Sequence, residues 1–326
     1  MATPKTLVLT VTEIRGLLDA RELLPGMREA FVKYSMERSV PARRFPVVLP
    51  DTVTTGAGGM VLAPGILPGI PAYTVKVNAK FPDADPAIKG VILLHDIETG
   101  DLLSVLESGH ITTLRTGLAG AIAADALARK DASRVAIIGA GTQGRVQLSS
   151  LALVREISAV SVFDTAPDAA ERYAAEHHEG IACEIRSVGS VAAAVEGADI
   201  VITSTWATEP FLFDGMIAPG AHITTIGPDS PNESEVDAEL IRKSLFVCDD
   251  RDLAIEMGAI GGVGLDADAI HAEIGEVIAG AKSGRSSPDQ ITIFGSVGLA
   301  FQDLAAAWLV YEKARAGGQG RTIAFF

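Results

Sequence analysis

Arg134 to Arg145 reads RVAIIGAGTQGR. The apolar run Val135-Ala136-Ile137-Ile138 suits a strand buried on both faces. It passes directly into Gly139-x-Gly141-x-x-Gly144, with a helical pattern through Gln147, Leu148 and Leu151 beyond. Strand, glycine turn and helix in that order make a dinucleotide cradle: the first glycine makes the tight turn, the second lets backbone approach a pyrophosphate, and the third lets helix and strand pack closely. The phosphates then lie on unpaired N–H groups at the helix N-terminus. A lone glycine motif carries little weight, so the following strand is the test. Ala159 to Phe163 supplies it and ends at Asp164, about twenty residues past the motif. A carboxylate there accepts both ribose hydroxyls and repels a 2′-phosphate, which favours NAD over NADP.

Further strands are predicted at 182–186, 199–203, 221–226, 245–248 and 291–294, with helices between several of them, as a doubly wound sheet requires. The pattern weakens around Gly258, Gly261, Gly262 and Gly264, which read as a loop, and Ala269 to Ala281 reads as a helix. Upstream, residues 7–34 read as a short strand and a helix, then a break at Pro25-Gly26 and a second helix. Short runs at 45–49, 59–62, 72–78, 90–96 and 102–106 describe a small, mostly antiparallel sheet. An alanine-rich helix from about Ile111 to Arg129 leads out of it, and a helix from Leu299 to about Ala314 crosses back. The expected fold class is α/β: a Rossmann-type doubly wound NAD(P) domain, 116–298, inserted in a smaller α+β domain made of 1–115 and 299–326.

Composition narrows the function classes. The chain has 326 residues, 48% hydrophobic and 21% charged, with a formal net charge of -14, which argues against nucleic-acid and anionic-membrane partners because both demand a basic footprint. No apolar run reaches the roughly eighteen residues that a membrane span needs. Cys183 and Cys248 lack CxxC spacing, and the start lacks a signal-peptide layout, so a reducing cytoplasm is expected. No histidine has metal-ligand spacing, and no metal site is expected; His177-His178 lies in a polar helical stretch and is expected at the surface. Ser108, Ser204 and Ser296 lack a GxSxG elbow.

A nicotinamide enzyme contributes orientation and charge, since hydride transfer belongs to the cofactor. Arg43, Lys76 within the apolar strand Tyr73–Val77, and Arg115 at the head of an apolar helix stand out in so acidic a chain. Lys76 and Arg115 suit capture of a carboxylate, and Lys76 also suits proton donation. Each could equally point to solvent or pair with a structural acid. Asp229 follows a predicted strand and the turn Gly227-Pro228, where doubly wound folds bind ligands; it could relay a proton or serve only as a turn or cap residue.

Pro41-x-Arg43, Lys76, Leu94-x-Asp96-x-x-Thr99-Gly100, Thr113-Leu114-Arg115-Thr116, Ile137-Ile138-Gly139-Ala140-Gly141-x-Gln143, Ile226-Gly227-x-Asp229 with Glu235, and Ser296-x-Gly298-x-Ala300-x-x-Asp303 together resemble the ornithine cyclodeaminase/mu-crystallin family over nearly the whole chain. The resemblance implies a homodimer formed through the sheet-rich domain. It also implies Arg43, Lys76 and Arg115 on the substrate carboxylate, and Lys76 and Asp229 in catalysis. Cofactor contacts are expected at Gly139, Gly141, Thr142, Gln143, Gly144, Asp164 and Thr165, and at Ser204, Thr205, Ile226, Gly227 and Ser296. The family includes amino-acid dehydrogenases, imino-acid and ketimine reductases, cyclodeaminases and binding proteins. Cyclodeaminases of the ornithine type resemble one another in a glutamate that meets a distal amine, and Gly58 or Val61 stands at that place here. The expected activity is therefore NAD-dependent interconversion of a small 2-oxo- or 2-imino acid, or ketimine, with an L-amino acid. A cyclodeaminase recycling its NAD and a non-catalytic NAD(P)-binding protein are the alternatives.

Overall fold

The computed structural model describes residues 5–38, 40–47, 59–81, 84, 86–176, 178, 180–228 and 230–325. The chain divides into two compact units, Met1–Arg115 with Leu299–Phe326, and Thr116–Gly298. In chain order the first contains β1 (Lys5–Leu9), β2 (Phe45–Val47), β3 (Gly59–Gly65), β4 (Ala72–Lys80), β5 (Ile88–Asp96) and β6 (Leu102–Glu107). The second contains β7 (Arg134–Ile138), β8 (Ala159–Phe163), β9 (Ile185–Ser187), β10 (Ile200–Thr203), β11 (His222–Thr225), β12 (Leu245–Cys248), β13 (Ala272–Glu273) and β14 (Thr292–Gly295), and β15 (Arg321–Ala324) returns to the first.

The first sheet has the order β15-β1-β6-β5-β4-β3-β2, antiparallel except for the β1–β6 pair. Burial alternates along β4, so Ala72, Thr74, Lys76 and Asn78 share one covered face. The helix Ala300–Gly317 packs on that strand and on the helix Ala20–Glu37, where Phe301 meets Phe31 edge-on at 5.3 Å and stacks on Tyr34 at 4.5 Å. A Cβ on Gly65 of β3 would strike the carbonyl of Ala300, so glycine there lets the helix N-terminus come down close to the sheet.

The break expected at Pro25-Gly26 falls elsewhere. The first helix, Val11–Leu17, ends at Leu18, whose backbone is extended. Asp19 then caps the second helix by accepting from the N–H groups of Arg21 and Glu22, and Pro25 lies inside it. Two sequential caps fix the boundary, and the helix accommodates the one lost N–H of the proline.

The second sheet is wholly parallel, in the order β13-β12-β14-β11-β10-β7-β8-β9, with apolar clusters on its faces. Its order reverses beside β7, which lies between β8 and β10, and doubly wound sheets bind ligands at such a point. The helix expected over Ala269–Ala281 is divided: a single turn at Ala267–Ala269, then β13 pairing with β12, then a helix only over Ile274–Ile278. Sheet pairing at Val247↔Ala272 overrides the helical propensity of this alanine-containing run.

Candidate functional site

In the second unit the cofactor candidates step off one row of the sheet. Phe163, Ile138, Thr203, Thr225 and Gly295 are register partners in succession, so the residues that follow them, Asp164, Gly139, Ser204, Ile226 and Ser296, all begin at one carboxyl edge. Each glycine of the turn has its own physical reason. Gly139 has φ +102, and a Cβ there would press on the Ser204 carbonyl. A Cβ on Gly144 would strike the Gly139 carbonyl, so only glycine lets the helix Thr142–Leu151 start this close to β7. Gly141 has nothing within 4 Å of its Cβ position, leaving open approach to the backbone.

That helix has no side-chain cap at Gly141, so the N–H groups of its first turn are available to an anion. Gln143 Oε1 is buried without a partner among the described residues. Asp164 is half-buried; its two oxygens accept from Ala140 N–H at 2.8 Å and Ala166 N–H at 2.9 Å, which hold the carboxylate against the glycine turn. The turn, the open helix end, the orphan acceptor and the fixed acid fit an adenine dinucleotide. Thr165 is exposed beside Asp164.

Several hydroxyls proposed from the sequence are engaged internally. Ser204 donates to the Gly139 carbonyl at 3.3 Å, Thr205 donates to Glu235 at 2.6 Å, and Ser296 donates to Asp249 at 2.9 Å. They shape the loops they stand on. Asp249, fully buried, also accepts from the N–H groups of Val297 and Gly298, at 3.0 and 2.8 Å to Oδ2. Burial pushes its carboxyl above the ordinary range, against the lowering effect of those bonds.

The first unit gathers charge. Lys76 Nζ lies 2.6 Å from Asp303 Oδ2, and Arg115 Nε lies 3.1 Å from Asp303 Oδ1, while Arg115 Nη1 donates to Gln302 Oε1 at 2.8 Å. Asp303 is in the first turn of its helix, the end where a negative charge is favoured. Lys76 and Arg115 are each 5% exposed and Asp303 is 0% exposed. Two buried cations thus share one carboxylate, and the triad carries a net charge of about +1. Burial drives the Lys76 ammonium from 10.5 down to about 8; Asp303 opposes the shift, and Arg115 and Arg44 add to it. Burial alone would raise the Asp303 carboxyl, but Arg115 and Lys76 hold it below its usual value.

Of the readings open for these cations, the structure shows the pairing with a structural acid: among the described residues Lys76 and Arg115 share the Asp303 carboxylate. Asp303 is the residue that inspection of composition and spacing does not reveal as the centre of the cluster; the signal is an aspartate opening an otherwise apolar helix. Arg43 is exposed, whereas Arg44 is half-buried and its charge reaches Lys76. Asp229 and Gly58 lie outside the described residues. His178, expected at the surface, is instead buried, with Nε2 2.7 Å from the Tyr173 carbonyl and its ring 4.5 Å from the Tyr173 ring; His177 lies outside the described residues. No cluster of potential metal ligands occurs among the described residues, and no helix among them is long and apolar enough to cross a membrane.

A model of the ornithine cyclodeaminase/mu-crystallin family matches residues 4–318. The chain belongs to this family. Among relatives in the ornithine cyclodeaminase/mu-crystallin family, an alanine dehydrogenase of Archaeoglobus fulgidus is 35% identical, over 99% of this chain and 99% of its own length. The Delta(1)-pyrroline-2-carboxylate reductase of Thermococcus litoralis, solved with NADH and L-proline, has a TM-score of 0.90 at 33% identity, covering 98% of this chain and 100% of that one. An archaeal alanine dehydrogenase dimer with bound NAD has a TM-score of 0.88 at 34% identity, covering 99% and 100%. The neighbours show the Rossmann-type α/β class for this member of the family, and cyclodeaminases of the same fold are also similar to it.

Proposed function

We propose that the protein is an NAD-dependent amino-acid dehydrogenase or imino-acid reductase, interconverting a small 2-imino acid or cyclic ketimine with an L-amino acid. Its relatives are oxidoreductases and cyclodeaminases, which supports an enzyme. The observation that carries the finer reading is the buried Lys76–Asp303–Arg115 triad. An uncompensated buried charge costs several kcal/mol, and a substrate carboxylate offsets it where a neutral ligand does not.

Bound NAD supplies a hydride acceptor or donor, and the chain supplies the rest. The N–H groups opening the helix at Thr142 and the carboxylate of Asp164 hold the dinucleotide, and Asp164 selects it over its 2′-phosphorylated form. Lys76 and Arg115 hold the substrate carboxylate, with Asp303 and Gln302 fixing their donor atoms. These cations disfavour a protonated iminium unless an anion offsets them, and Asp229 is assigned that role together with proton transfer. Against the cyclodeaminase, neither Gly58 nor Val61 offers a carboxylate to a second ammonium. A homodimer is supported by the dimeric relative and by the apolar edge strand β2, where Phe45 and Val47 are exposed.

The test adds NADH to the purified chain with 2-oxo acids plus ammonia or methylamine, with cyclic imines, and with ornithine or lysine, following absorbance and ammonia together. Net NADH oxidation with an imine-forming pair supports this reading. Ammonia from a diamino acid without net oxidation replaces it with the cyclodeaminase, and NADH binding with neither replaces it with a binding protein.

A further inference from the structure

Glu235 is 0% exposed and accepts five hydrogen bonds from uncharged donors: Thr203 Oγ1 at 2.5 Å, Thr205 N–H at 2.8 Å, Thr205 Oγ1 at 2.6 Å, Thr225 Oγ1 at 2.8 Å and Gly227 N–H at 3.2 Å. Burying a carboxylate is costly unless its lone pairs are satisfied, and here the donors come from two neighbouring strand ends. Thr203 and Thr225 are the last residues of β10 and β11 and are register partners. Thr205 and Gly227 stand on the loops that leave them. The backbone carbonyl of Glu235 also accepts from Phe211 and Leu212, so the same residue anchors the far end of the β10 loop. Gly227 is shaped around this carboxylate: a Cβ there would meet both Glu235 Oε1 and the Thr205 carbonyl. Asn232, between Gly227 and Glu235, has φ +65, a left-handed conformation that asparagine tolerates better than most residues.

We infer that Glu235 is a positioning residue for the cofactor site. Its carboxylate fixes the spacing of the β10 and β11 loop bases, and through it Ser204-Thr205 and Ile226-Gly227 are held ready for the dinucleotide. The inference rests on the NAD reading. A carboxylate that only stabilised the core would need the same donors, so the two roles are told apart by cofactor affinity in folded variants.

The experiment measures NADH affinity by fluorescence titration, with circular dichroism and thermal melting alongside, for the full chain and for Glu235→Gln, Thr225→Val and Thr225→Ser. Glu235→Gln keeps the shape but replaces an acceptor by a donor facing donors. The expected result is a Kd for NADH raised about tenfold or more in folded Glu235→Gln. Thr225→Val is expected to raise it about threefold, and Thr225→Ser, which restores the hydroxyl, returns it to the wild-type value. Folded Glu235→Gln with wild-type affinity overturns the inference, whatever its melting temperature. If Glu235→Gln does not fold, the Thr225 pair decides: equal affinities for valine and serine overturn the inference, and weaker binding by valine alone sustains it. A wild-type chain that binds no NADH removes the functional reading, and this inference with it.

Discussion

Lys76 and Asp303 stand 227 positions apart in the chain, and their charged atoms meet at 2.6 Å beneath a helix that covers the strand. The carboxylate has a second claimant in Arg115, so among the described residues one anion serves two cations.

Replacing Asp303 with asparagine removes the carboxylate that both buried cations share. The expected cost is about 3–5 kcal/mol of unfolding free energy, the range found when one partner of a buried pair is removed. A denaturant melt of Asp303→Asn within about 1 kcal/mol of wild type would show that the pair is not a strong local determinant of stability.

Burial pushes the Lys76 ammonium down to about 8, from 10.5 ordinarily. In free enzyme, kcat/KM for a carboxylate substrate is therefore expected to fall above pH about 8 as the lysine loses its proton, and Lys76→Arg is expected to abolish that limb. Between 8 and 10.5 the unfolded chain binds the proton more tightly, so this group's contribution makes stability rise with pH across that window. Asp303 acts on the acid side: its depressed pKa contributes stability that is present above the usual carboxylate range and lost as pH falls through the folded value. A pH profile of kcat/KM unchanged in Lys76→Arg assigns the alkaline limb to another group.

Arg115→Ala is expected to raise KM for carboxylate substrates about tenfold or more, with a smaller change in kcat, if the guanidinium holds ground and transition states alike. Steady-state kinetics across a series of 2-oxo acids checks this, and an unchanged KM takes Arg115 out of substrate binding.

Asp164→Ser with a neighbouring arginine is expected to shift coenzyme preference toward NADP, because the change removes the anion that repels a 2′-phosphate. The ratio of kcat/KM for the two coenzymes is the measurement; a constant ratio means that the carboxylate serves only its bonds to Ala140 and Ala166.

What is legible in the sequence is what local chemistry decides. Gly139 and Gly144 announce their turn because each is required by backbone within a few residues or on an adjacent strand, and Asp164 follows at a distance fixed by one helix and one strand. Lys76 and Arg115 are conspicuous because charge is rare in apolar periodicity, but their shared partner is legible only in three dimensions. The break assigned to Pro25 fails because Asp19 caps the helix six residues earlier. The Ala269–Ala281 run fails because a two-residue strand competes with helix propensity and wins by pairing with β12. His178 escapes because the aromatic face that covers it belongs to Tyr173, whose own burial does not follow from its polar surroundings in the sequence.

Pairing of β1 with β15 has a consequence for biosynthesis. A nascent chain displays β1 and the face of β4 that carries Lys76 long before their partners exist. At about 5–20 residues per second, the 227 residues from Lys76 to Asp303 take the ribosome roughly ten to forty-five seconds. Thr116–Gly298 is contiguous and can close as it emerges, whereas the first sheet can be completed only after Arg321–Ala324 has been made. For that interval Lys76 and Arg115 are without the Asp303 carboxylate.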